Sequence, residues 1–226
     1  MNKPALVLDF GGVISQTLFE THPQTEKALG LSPGALTWRG PFDPSTDPAW
    51  RQMQDGQMTE RDYWLHRTRE TGALINQRWT QMVQFVRAAR CADGMAIVRP
   101  EALAAICQCQ QQGVRLAILS NELDLFYGAD FRDQLPFLKA FELIVDASHT
   151  GVLKPDPASY AFVSDALKLK PQACVFVDDQ PRNIDGAIRA GMQTVHFDVK
   201  APAASFARAL EKIEITASLN MPGDSQ

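Results

Sequence analysis

Five short apolar runs constrain this chain more than any other feature: Ala5–Asp9, Val114–Leu119, Glu142–Asp146, Cys174–Asp178 and Gln193–Phe197. Each is near-continuous instead of alternating, the mark of a strand covered on both faces, as parallel-sheet strands are. Helical patterns separate the later runs. From Pro100 to Gln112, residues Leu103, Ile106 and Cys107 fall on one face, with Pro100 suited to a first turn and Gly113 to a C-terminal cap. Asp156 is placed to cap the next helix, with Pro157 at its first position and Tyr160, Val163 and Leu167 on one side. A third helix is expected to start near Asn183, carry Asp185 in its first turn and end at Gly191. A last one spans about Ala203–Ile213, and the polar tail, residues 215–226, is expected to fray. Strands alternating with helices predict an α/β fold with a doubly wound parallel sheet.

Residues 15–95 read differently. They hold all four tryptophans (Trp38, Trp50, Trp64, Trp79) and helical patterns without a convincing strand. Asp47 is a candidate cap for a helix through Met53, Thr59 and Asp62 have capping-box spacing, and Asn76–Ala89 reads as a further helix. The expected organisation is a core from residues 1–14 and 96–214 with a helical insert at 15–95.

Composition excludes several classes. Formal charge is −4 and no Lys/Arg cluster forms a nucleic-acid footprint, so no nucleic-acid partner is expected. No apolar stretch approaches the ~20 residues needed to span a bilayer. Asp9 and Gly11 interrupt the first run too early for a signal peptide, which makes a cytoplasmic location the expectation, with no membrane partner. Cys91, Cys107, Cys109 and Cys174 form no CxxC pair and read as reduced thiols. His22, His66, His149 and His196 are scattered, and each reads as a surface residue or a satisfied core residue.

In open parallel sheets, ligands bind beyond the carboxyl ends of the strands. There this chain places Asp9-Phe-Gly-Gly, Ser120-Asn121 and Asp178-Asp179, with Lys154 on the loop after the third strand. The DFG triplet at Asp9 does not imply a protein kinase, because no nucleotide loop, strand lysine or catalytic loop stands upstream. Like charges gathered at one edge repel unless something neutralises them. Asp9, Asp178 and Asp179 would form an oxygen-rich site suited to Mg²⁺, and Ser120, Asn121 and Lys154 would serve a dianionic group. Metal and donors around an anion are what phosphoryl transfer requires, and an aspartate is a competent covalent acceptor. Gly11 and Gly12 would let a phosphate approach the backbone and allow a sharp exit from the strand.

The segments "LVLDFGGVI", "LAILSN", "KPDPASYAF" and "VFVDDQPRNIDGAIRAGMQTVHF" together resemble the haloacid dehalogenase superfamily of hydrolases. The position of the helical insert resembles the small cap of the cap-one subgroup, and "DFGGV" resembles the branch with the amino-terminal phosphatase-like domains of epoxide hydrolases and certain sugar-phosphate phosphatases. The resemblance implies a Rossmann-like core, a Mg²⁺ ion and a phosphoaspartyl intermediate on Asp9. It implies that Ser120 and Asn121 hold the transferring phosphoryl group and that Lys154 neutralises nucleophile and phosphate. Asp179 would bind the metal, supported by Asp178, with the Gly11 carbonyl as a further ligand. The chain departs from the family's phosphatases at Gly11, where an acid/base aspartate is usual; such help is worth ~10²–10⁴-fold. The expected partner is a small phosphorylated molecule. Two rivals are a metal-independent 2-haloacid dehalogenase and a non-catalytic phosphate-binding regulator. Trp38, Arg39, Arg51, Trp64 and His66 are candidates to line the cleft, with core packing as the alternative for the aromatic ones. The physiological substrate and the oligomeric state stay open.

Overall fold

The computed structural model describes residues 3–90 and 94–219. These fall into two compact units, one drawn from Met1–Gln16, Val98–Leu123 and Leu135–Gln226, the other from Thr17–Ile97 and Asp124–Gln134. The first unit is built on a five-stranded parallel sheet of β1 (Ala5–Leu8), β2 (Arg115–Ser120), β3 (Leu143–Asp146), β4 (Cys174–Asp178) and β5 (Gln193–His196). Their order is β3-β2-β1-β4-β5, with Leu8 in register with Ile118 on one side and Val177 on the other. The helices, in chain order, are α1 (His22–Leu29), α2 (Pro48–Gln54), α3 (Glu60–Leu74), α4 (Met82–Ala89), α5 (Pro100–Gln112), α6 (Leu123–Tyr127), α7 (Ala147–Thr150), α8 (Pro157–Leu167), α9 (Pro181–Arg189) and α10 (Pro202–Leu219).

All five expected strands form. The central one, β1, is buried throughout, which is why it reads as unbroken apolar sequence. Ala5 and Val7 pack in a layer with Tyr160, Val163 and Leu167 of α8 and Ile184 and Ala187 of α9. Burying each larger aliphatic side chain there contributes about 1.5–3 kcal/mol. α5 packs against β2, and α10 against β1 and β4.

Local signals set most helix ends. α5 stops at Gly113, which is left-handed at φ 65°, and Asp156 caps α8 by accepting from the Ala158 N–H at 2.9 Å. α9 departs from expectation by starting at Pro181, because proline is already set for a first helical position; Asp185 therefore lies beyond the first turn. α10 continues past Ile213 to Leu219, as nothing in 214–219 breaks a helix. Part of the expected frayed tail is thus helical, and 220–226, like Cys91, lie outside the described residues. Cys107, Cys109 and Cys174 are unpaired thiols as expected, and burial pushes Cys109 and Cys174 up to about 11.

The second unit is helical around aromatic side chains. Phe19 touches Trp38, Trp50 and Trp64 at ring-centre distances of 5.3, 5.3 and 5.4 Å. Asp47 caps α2 through the Trp50 N–H at 2.9 Å, and Thr59 caps α3 through the Asp62 N–H at 3.1 Å. The helix expected over Asn76–Ala89 begins only at Met82. Asn76 turns left-handed at φ 57°, and the Gln84 side chain accepts from the Thr80 and Gln81 N–H groups, so the turn starts there. Residues 124–134 also join this unit: Phe126 packs on Trp64 at 5.3 Å, Arg90 lies over Tyr127 at 5.5 Å and Arg87 pairs with Asp130. His22 corrects another expectation. It is 2 % exposed, set edge-on to Trp38 at 4.2 Å, and neither ring nitrogen has a hydrogen-bond partner among the described residues. Burial, aided by Arg39, lowers its pKa to about 4. Among the described residues no helix is long and apolar enough to cross a membrane.

Candidate active site

The strand order reverses between β1 and β4, and that is where open α/β sheets form their ligand crevice. Asp9 extends β1, its N–H donating to the Val177 carbonyl at 2.9 Å, and Asp178 ends β4. Between them stands Lys154, whose Nζ lies 2.9 Å from Asp9 Oδ1 and 2.7 Å from Asp178 Oδ2. Its side chain is 1 % exposed, so the ammonium has given up water for these carboxylates. Asn121, just past β2, aims it. The Lys154 N–H donates to Asn121 Oδ1 at 2.7 Å, and Asn121 Nδ2 donates to the Lys154 carbonyl at 3.2 Å. The Asn121 amide thus ties the end of β2 to the Lys154 main chain. Ser120 is buried at the end of β2, in register with Asp146.

Asp178 is fully buried and well supplied with donors. Besides Lys154 it accepts from the Gln180 N–H at 2.8 Å and from Asn183 Nδ2 at 3.1 Å to each oxygen. Asn183 is held in turn by the Tyr160 hydroxyl, which donates to its carbonyl at 2.7 Å. Burial raises the Tyr160 pKa and keeps that hydroxyl a donor. Asn183 and Tyr160 escaped the sequence reading. The available signal was Pro181, which starts α9 at once and swings Asn183 back under Asp178.

Asp179 is half-buried beside Gly12. A Cβ on Gly12 would sit 2.8 Å from the Asp179 carboxyl carbon, and φ there is +84°, so two independent reasons demand glycine. Gly11 differs: it is exposed, and a Cβ there would meet no protein atom within 4 Å. Among the cleft candidates, Trp38 and Trp64 are buried in the aromatic core of the helical unit, while Arg39, Arg51 and His66 are exposed.

Oxygens of Asp9, Asp178 and Asp179 lie within 4.8 Å of one another. Lys154 pairs with two of these carboxylates, Asp9 and Asp178. An all-oxygen donor set of this kind fits a hard divalent cation.

A parallel α/β sheet carrying acids and a buried lysine at its carboxyl edge defines a Rossmann-like hydrolase. The chain belongs to the haloacid dehalogenase-like hydrolases, whose family pattern it matches over residues 4–191. It is 32 % identical to bifunctional epoxide hydrolase 2 of Mus musculus over 123 residues, covering 52 % of this chain and 21 % of that protein. It is 30 % identical to a phosphoglycolate phosphatase of Pseudomonas putida over 101 residues, covering 45 % of this chain and 37 % of that protein. The chain thus spans well under half the length of both relatives. The L-2-haloacid dehalogenase of Xanthobacter autotrophicus shares the fold, with a TM-score of 0.59 and 22 % identity over 97 % of this chain and 89 % of that one.

Proposed function

We propose that the protein is a Mg²⁺-dependent phosphatase of small phosphomonoesters, working through a phosphoaspartyl intermediate on Asp9. The observation that carries this reading is the convergence of Asp9, Asp178 and Asp179, whose oxygens lie within 4.8 Å of one another, with Lys154 beside Asp9 and Asp178. A haloacid dehalogenase needs no such set of acids. The phosphatase among the relatives supports the same reading.

Asp9 and Asp179 would hold the metal, with Asp178 behind them. Bound there, Mg²⁺ supplies positive charge for the phosphate oxygens and the attacking carboxylate. The chain supplies the rest. An Asp9 oxygen attacks phosphorus, the phosphorus–oxygen bond to the alcohol breaks, and the phosphoryl group rests on Asp9 as a mixed anhydride. Lys154, 2.9 Å from Asp9, offsets the nucleophile's charge and attracts the dianion. Ser120 provides a hydroxyl at the neighbouring strand end. With glycine at position 11, the departing alkoxide takes its proton from water. A second water then attacks phosphorus, restoring Asp9 and releasing phosphate. A sugar phosphate is the substrate class that best matches the branch.

Hydrolysis of a generic aryl phosphate and a metabolite panel, with Mg²⁺ and with chelator, tests this against Asp9→Asn. The expected result is Mg²⁺-dependent phosphate release that Asp9→Asn abolishes. Dehalogenation that survives chelation, or phosphate binding without turnover, would replace the reading. Gly11→Asp fits the open space at that position; unchanged or lower turnover indicates that another group already serves as acid, and a large gain indicates an impaired site.

A further inference from the structure

We infer that Arg99 is a positioning residue for the cation site, acting through Gly12 on Asp179. The inference rests on the reading of Asp179 as a metal ligand. Arg99 immediately precedes α5 and is 3 % exposed. Its Nε and Nη2 donate to the Gly12 carbonyl at 3.2 and 3.1 Å, and its own N–H donates to the Ile14 carbonyl at 2.9 Å. The guanidinium lies 5.7 Å from the Phe197 ring centre. Two charge-assisted bonds on one carbonyl oxygen fix where that peptide lies and how it is turned.

Gly12 is the residue whose α-carbon backs onto the Asp179 carboxylate, so its placement sets the space that carboxylate occupies. The loop is closed at its other end by the Ser15 N–H on the Phe10 carbonyl at 2.9 Å, and Ser15 bridges to both Gly11 and Val98. Gly12 therefore sits between a hydrogen-bonded turn and a buried cation, and a shift there is passed directly to Asp179.

The test is Mn²⁺ binding to the full chain, followed by electron paramagnetic resonance, with thermal melting in parallel. Arg99→Met is expected to weaken Mn²⁺ binding by about 10–100-fold, the usual range for groups that orient metal ligands, and Arg99→Lys by less. In an Asp179→Asn background, Arg99→Met should add little, because the group it acts on is gone. A merely structural arginine would lower the melting temperature and leave affinity unchanged, or add its full effect to Asp179→Asn. Folded Arg99→Met or Arg99→Lys protein that binds Mn²⁺ within about twofold of the parent overturns the inference. If Arg99→Met fails to fold, Arg99→Lys decides. A parent protein that binds no Mn²⁺ refutes the metal site itself, an outcome distinct from an insensitive variant.

Discussion

Each unit of the molecule buries a carboxylate against a cation, and the two arrangements are built to different ends. In the helical unit Asp47 is fully buried and accepts from the Trp50 N–H, the Gly40 N–H at 3.1 Å, the Tyr63 hydroxyl at 2.8 Å and the Arg67 guanidinium. Arg67 is also covered by the Trp38 and Tyr63 rings, and its remaining charge partner, Glu70, reaches toward solvent. Asp47 is thus surrounded by donors, while Arg67 Nε is buried without a hydrogen-bond partner among the described residues. At the sheet edge one lysine serves two carboxylates while a third stands nearby. Oxygens of its three acids lie within 4.8 Å of one another, an arrangement that a divalent cation could join.

The sharpest way to break this comparison is to remove one acid from each cluster. Asp9→Asn should reduce phosphatase turnover by more than about 10³-fold while leaving the melting temperature equal or higher, since it relieves repulsion. Asp47→Ala should destabilise the helical unit by about 3–5 kcal/mol, because it strands a buried guanidinium, as urea unfolding would register. Equal stability losses for the two would erase the distinction.

Lys154→Met sharpens it from the cation side. In chelator, urea unfolding should show a loss of about 3–5 kcal/mol from two facing carboxylates left unpaired. Saturating Mg²⁺ should return about 2–3 kcal/mol of that by binding the folded state. No such rescue is expected for Asp47→Ala.

His22 gives a smaller effect confined to the helical unit. Its folded-state pKa of about 4 lies below the ordinary 6.5, so the unfolded chain takes up the proton first as pH falls. Stability should be level above pH 6.5, drop by up to about 1.4 kcal/mol per pH unit toward pH 4 from this group, and level off below. His22→Phe should flatten that part of the profile. The smallest effects separate neighbouring glycines: Gly11→Ala should shift stability by less than about 0.5 kcal/mol, whereas Gly12→Ala should cost about 1–2 kcal/mol from its left-handed backbone alone, and weaken Mn²⁺ binding as well.

Much of this was legible beforehand. Strands buried on both faces must be apolar at successive positions, so β1, β2 and β4 stand out in the residue string. Asp9, Lys154, Asp178 and Asp179 were legible because each follows or flanks such a strand. The partners were not. The bonds of Asn121 to the Lys154 main chain show only in the folded chain, and Arg99 reads as an ordinary residue before a helix. The Asn76–Ala89 pattern misled because periodicity says nothing about a left-handed residue at position 76. Residues 124–134 follow β2 in sequence yet pack with the tryptophans, because Phe126 and Tyr127 find their aromatic partners there.

The sequence by itself determined the strands, most of the helix caps and the identity of the charged residues at the sheet edge, since these depend on neighbours a few positions away. Only the tertiary structure decided which carboxylate is satisfied, which glycine is irreplaceable and which arginine lies behind it. Those facts depend on strand order and on loop closures such as that of Arg99 on Gly12, 87 residues apart, and no local pattern encodes them.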